Sequence, residues 1–165
     1  MDTNLIEYLT HGNVNHQQGC NQVVGKLKKN FSDRFAIGII DKDKVGVGYM
    51  LNCSEVVSTK HLCILRHKIF PHYLITVSPA IDRFLLDCAK EEGVRLEDFG
   101  LSYRLKEFIK QTKKNTSNKD PRFRDLIIAI KSNKEIVFLG KALNYLQANQ
   151  YLSNDEDIVA FANDI

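Results

Sequence analysis

Apolar positions along the chain follow two different rhythms. Between residues 19 and 30, Cys20, Val23, Val24 and Leu27 recur at helical spacing, and Lys26, Lys28 and Lys29 sit toward the end, where cations suit the helix dipole. That stretch is predicted to be a helix. FAIGIID (35–41) is instead a continuous apolar run closed by an acid, the pattern of a strand buried on both faces of a parallel sheet. LCILRH (62–67) and HYLITVS (72–78) are the next strands, joined through a turn at Pro71 either as a hairpin or as consecutive sheet members. Ser78 and Pro79 then open a helix over AIDRFLLDCAKEEG, with Ile81, Leu85 and Cys88 on one stripe and Gly93 as its stop. NLIEYL (4–9) reads as a short strand or a helical turn, and HGNVNHQQG after it is turn-like.

Beyond residue 95 the pattern turns helical. Helices are predicted over 101–113, 121–132, 140–149 and 154–163, with EIVFL (135–139) either a strand or the start of the third, and KKNTSNKD (113–120) a loop. The expected architecture is α/β, a mostly parallel central sheet with flanking helices and a helical C-terminal part, in one domain divided into a core (1–95) and an extension (96–165). Composition agrees with a globular chain: 165 residues, 44% hydrophobic and 26% charged, enough to bury roughly 70% of the unfolded surface. No apolar run approaches the ~20 residues of a bilayer span, and residues 1–15 lack the basic start and apolar core of a signal peptide, so a cytoplasmic protein without a membrane partner is expected. Cys20, Cys53, Cys63 and Cys88 form no CxxC pair and read as free thiols.

The sharpest candidate chemistry is IIDKDK (39–44), where an apolar strand ends in two carboxylates two positions apart. Asp41 and Asp43 can converge on one hard cation, because Mg²⁺ and Mn²⁺ take oxygen ligands and usually keep several waters. Lys42 and Lys44 would neutralise a phosphate or moderate the repulsion. The plainer reading, a charged solvated turn at a strand end, carries equal weight on spacing alone. Asp82, in the first turn of the helix after another strand, would approach the same sheet edge, or would simply complement the helix dipole. Glu7 joins them if NLIEYL is a strand beside FAIGIID.

These residues carry a resemblance. A glutamate on a first strand and an apolar strand ending in DxD resemble the Toprim (topoisomerase-primase) domain. IDRFLL after a strand and a proline is similar to the acidic-x-aromatic-Leu-Leu helix of small bacterial Toprim-like proteins and the overcoming-lysogenisation-defect nucleases. The resemblance covers about residues 4–92 and implies a Toprim/Rossmann-like sheet. It also implies a divalent metal, Mg²⁺ or Mn²⁺, held by Glu7, Asp41 and Asp43 with Asp82 as a further ligand, and phosphodiester chemistry on nucleic acid, in DNA processing or phage defence. Glu7 would also act as general acid or base. The chain departs from the family where Glu7 is followed by Tyr8 instead of glycine, with His11, His16 and Gln17 nearby as replacements. DKDKV (41–45) also matches the DxDx[TV] signature of haloacid-dehalogenase-like phosphohydrolases, with Ser78 resembling their second motif, but the late acidic pair of that family has no counterpart in EIVFLGKAL.

Charge distribution adds a second element. Residues 104–124 hold Arg104, Lys106, Lys110, Lys113, Lys114, Lys119, Arg122 and Arg124 against Glu107 and Asp120, interleaved with Tyr103, Phe108 and Phe123. Lys44, Lys110, Lys113, Lys114, Arg122 and Arg124 are thus candidates to track nucleic-acid phosphates, with the aromatics stacking on bases or packing inward. No phosphate-binding glycine loop or nucleophile elbow is present. The function classes that follow are a metal-dependent nuclease-like protein, a non-catalytic nucleic-acid or protein binding module of the same fold, and a phosphohydrolase.

Overall fold

The computed structural model describes all residues except 1, 11, 13, 18, 43–46 and 114–119. Its elements are α1 (Asp2–Thr10), α2 (Cys20–Asn30), β1 (Ala36–Asp41), α3 (Val47–Met50), β2 (Cys53–Ser58), β3 (Leu62–His67), β4 (His72–Val77), α4 (Ile81–Glu91), α5 (Leu105–Thr112), α6 (Pro121–Ala129), α7 (Lys134–Asn149) and α8 (Asp155–Asn163). The strands form one sheet in the order β1-β4-β3-β2. β1 and β4 run parallel, with Asp41 opposite Val77, while β3 is antiparallel to both β4 and β2.

The expected mostly parallel sheet is therefore corrected to a mixed one. The reason lies in chain length: residues 68–71 between β3 and β4 are too few for the crossover of about a dozen that parallel neighbours require, so these strands must fold back as a hairpin. Only β1 and β4, with β2 and β3 inserted between them in sequence, have that freedom. β2 lies at the other edge, half-exposed and bulged between Glu55 and Val57. CSEVVS lacks the apolar run of its neighbours, which is why pattern reading passes over it.

Side-chain alternation sends successive residues to two cores. Ile37 and Ile39 of β1, Leu62 and Ile64 of β3, and Tyr73, Ile75 and Val77 of β4 join the larger cluster, together with α1 and the helices after β4. Ala36, Ile40, Leu65 and Leu74 face the opposite side, against Cys20, Val23 and Leu27 of α2 and Tyr49 of α3. β4 is buried along its whole length. Gly38 sets the approach of α2: a Cβ there would lie 2.9 Å from Leu27 Cδ1 and 3.0 Å from Leu74 Cδ1. α4 buries Ile81, Phe84, Leu85, Cys88 and Ala89, a helical stripe, and ends as expected at Gly93, whose φ of 66° is the left-handed conformation glycine tolerates.

Two further readings change. NLIEYL belongs to α1, with Leu5 and Ile6 buried against α7 and α6, so it is a helix and not a strand of the sheet. EIVFL is the first part of α7, where Asn133 Oδ1 accepts from Glu135 N at 3.1 Å and starts the helix. Helix α5 begins at Leu105, later than 101. The helices after residue 96 share the larger core with the sheet through Phe108, Phe123, Leu126, Phe138, Leu139 and Ile158. Among the described residues no helix is long and apolar enough to cross a membrane.

Candidate functional site

Parallel neighbours β1 and β4 end at the same edge of the sheet, and their carboxyl ends open the crevice where α/β sheets commonly bind ligands. Asp41 is the last residue of β1. Its Oδ1 accepts from Ile81 N at 3.0 Å, the first amide of α4. The residue before that helix is Ala80, which has no side chain able to cap it. A carboxylate from β1 therefore does what a serine or aspartate at the N-cap ordinarily does, and adds a negative charge at the positive end of the helix dipole. Asp82 follows Ile81, half-buried in the first turn of α4. Asp82 therefore follows the residue whose amide donates to Asp41.

A cleft of about 170 Å³ opens beside Asp41, lined by His16, Gln17, Cys20, Asp41, Val77 and Ile81 among others. The Cys20 thiol donates toward the Asp41 carbonyl at 3.5 Å. His16 and Gln17, singled out in the polar stretch before α2, do reach the Asp41 edge. A second groove, about 320 Å³, adjoins it along β1 between α2 on one side and α1 and α7 on the other, and the two share His16, Gln17, Val23 and Ile39. No sequence signal marked this second groove, because it is made by an unpaired strand edge lying between two helical layers.

Other candidates fall elsewhere. Glu7 is exposed on α1, and the condition that would set it beside β1, a strand at 4–9, is not met. Asp43, Lys44, Lys114 and His11 lie outside the described residues. Among the described residues no group of three His, Cys, Asp or Glu is arranged to hold a metal ion. Ser78 is held by its backbone, its amide bonded to His61 O at 2.7 Å and its carbonyl facing His61 Nδ1 at 3.1 Å.

The basic segment divides in two. Lys106 and Lys110 are exposed at i and i+4 on one face of α5, and Lys113, the residue that ends the helix, is exposed at i+7. Arg122 is instead tied down, its guanidinium 2.6 Å from Asp120 and donating to Gly100 O at 3.1 Å, and Arg124 lies 3.8 Å from Asp125. Phe108 and Phe123 are fully buried and meet edge to face at 6.2 Å, so they pack inward and are not available to stack on bases. Tyr103 is partly exposed and donates its hydroxyl to Val94 O.

The cysteines are free thiols, as read from their spacing. Burial pushes Cys63 up to about 11 and raises Cys53 and Cys88, so these three are held as thiols and are poor nucleophiles. A polar cluster under the sheet is likewise closed on itself: Tyr49 OH donates to His72 Nδ1 at 2.6 Å, His72 Nε2 donates to Phe31 O at 2.8 Å, and His67 Nδ1 accepts from Ile69 N and Phe70 N at 3.1 Å each. Its bonds are structural.

No protein-family model, curated protein or solved structure matches this chain.

Proposed function

We propose that the protein acts on a nucleic-acid phosphodiester at the crevice beside Asp41, with Mg²⁺ or Mn²⁺ as cofactor and the lysine face of α5 contacting phosphates. The single observation that carries this reading is the position of Asp41: a carboxylate at the carboxyl end of a strand, beside a parallel neighbour, on the wall of a cleft. A fully protein-made metal cage is not available among the described residues. Mg²⁺ needs only one or two carboxylates and completes its shell with waters and substrate phosphate oxygens, which is the support for a cation at Asp41. Asp41 would hold the cation, with Asp43 and Asp82 as the further carboxylates of the reading. When bound, the cation supplies Lewis-acid polarisation of the phosphoryl oxygen and an acidified water. His16 and Gln17 orient groups in the cleft.

A non-catalytic binding module is the competing reading, and it draws support from the engagement of Asp41 as a cap. Cleavage of a labelled single strand in Mn²⁺ separates the two. The nuclease reading expects cleavage that is lost in Asp41→Asn while the fold is kept. Tight binding without turnover, unchanged in that variant, would favour the binding module.

A further inference from the structure

The free edge of β1 is unusual in how little of it is open. In a parallel ladder alternate residues face the partner strand, and Ala36 N bonds to Pro71 O at 3.2 Å, so Phe35, Ile37, Ile39 and Asp41 turn their amides and carbonyls outward. Both ends of this edge are already used. Phe35 N donates to Tyr151 OH at 2.9 Å, and Asp41 O accepts from the Cys20 thiol at 3.5 Å. Between them, among the described residues, the outward N–H and C=O of Ile37 and Ile39 have no protein partner, and they line the larger groove.

An added strand could ladder with this window over only about three residues, the short extreme for a strand and below the roughly five to six that are usual. The window suits a flat ligand with a donor and an acceptor on one edge. The walls agree. Val23 and Leu27 of α2 lie on one side and Leu143 of α7 on the other, giving apolar faces for a ring, with the Phe31 and Phe35 rings at one end. The polar side chains lining it are Asn15, His16, Gln17, Lys26 and Gln147, with Gln17 Nε2 donating to Asn15 Oδ1 at 2.6 Å; no carboxylate lines this groove. Amides that read base edges, rings and aliphatics that take a base face, and a cation for phosphate are the chemistry of single-strand recognition.

We propose that this groove takes one unpaired nucleobase, hydrogen-bonded to the Ile37–Ile39 edge, so that the substrate of the Asp41 cleft is a single-stranded nucleic acid. The inference rests on the function proposed above, and it goes further by naming the substrate class. The two grooves adjoin, sharing His16, Gln17, Val23 and Ile39 in their walls, and two residues of strand, about 7 Å, separate Ile39 from Asp41. A base seated at Ile39 therefore carries its own phosphate toward Asp41. A duplex, with its bases stacked and paired, cannot enter a slot between two helical layers.

The test uses the full chain in EDTA, so that metal and turnover play no part. Binding of an eight-nucleotide single strand is read by fluorescence anisotropy, against the matching duplex and the same strand made abasic at every position. Hydrogen exchange follows the amides of Ile37 and Ile39. The single strand is expected to bind and to slow exchange at both amides, and the abasic strand to bind about tenfold more weakly. Gln147→Leu, which removes the amide at an exposed position on the groove wall without adding charge, is expected to weaken the single strand by a similar factor and leave the abasic strand unchanged. No single-strand binding, equal binding of the abasic strand, or protection of these amides by an apolar peptide and not by nucleic acid would each overturn the proposal. Failure of the function itself reads differently: Asp41→Asn would leave Mn²⁺ binding and cleavage unaltered whatever the groove does.

Discussion

Replacing Asp41 separates its two roles, because alanine and asparagine remove different things. Asp41→Ala deletes the acceptor for Ile81 N and leaves α4 uncapped, since Ala80 offers no side-chain oxygen. Loss of a capping acceptor costs typically ~1 kcal/mol, within a range of about 0.5–2. Removing the charge from the helix N-terminus costs about 0.3–1 kcal/mol more at a partly exposed site. Asparagine keeps an oxygen at the same position and forfeits only the second contribution. Asp41→Ala should therefore lose about 1–2 kcal/mol and Asp41→Asn about 0.5 kcal/mol. For a chain of this length each kcal/mol moves Tm by roughly 2–4 °C, so thermal and urea denaturation followed by circular dichroism resolve the difference. Both variants should lose cleavage alike, so the order of stabilities and the order of activities will not coincide. Equal stability of the alanine and asparagine variants would refute the capping argument.

Other consequences are independent of the cleft. Gly38→Ala forces a methyl into Leu27 and Leu74 and should destabilise by about 1–3 kcal/mol, read as a lower urea midpoint with unchanged slope. Buried Glu135 accepts from Thr59 Oγ1 at 2.6 Å and from His61 N at 3.4 Å, so Glu135→Ala strands those donors and should cost about 1–3 kcal/mol in the same assay. Burial, with His72 and Lys28 nearby, depresses the His67 pKa, so the folded state binds fewer protons than the unfolded one below about pH 6.5. Stability should fall as pH drops from that value toward the folded-state pKa, and His67→Asn, which keeps an acceptor for Ile69 N and Phe70 N, should flatten the slope between pH 7.5 and 5. Changing Lys106, Lys110 and Lys113 together to Gln should reduce the salt dependence of single-strand binding by about 2 in the slope of log K against log salt; an unchanged slope would remove α5 from the interface.

Sequence pattern exposed most elements because burial imposes a period on them. FAIGIID, HYLITVS and the IDRFLLDCAKE stripe are buried segments whose apolar positions mark their faces directly. Direction was less legible. Parallel or antiparallel pairing depends on connection length and on which strands become neighbours, and the short 68–71 link was the only local clue. NLIEYL and EIVFL are short apolar runs whose period does not separate strand from helix, and their packing on one another's helices, α1 on α7, decided the outcome. At the site, Asp41 bonds the first amide of α4 and Asp82 lies in that helix's first turn. That Asp41 caps α4 was not visible, because the bond joins residues 40 apart in sequence. The groove along Ile37–Ile39 was equally hidden, since it is defined by what does not pair with β1.

Titration calorimetry of Mn²⁺ into the protein, alone and with a saturating single strand, tests the central claim most directly when run on the unmodified chain and on Asp41→Asn. The account predicts weak binding to the protein alone, saturable binding that tightens when the strand supplies phosphate ligands, and loss of that tight binding in Asp41→Asn, whose fold is retained. Identical titrations for the two proteins, with or without the strand, would contradict it.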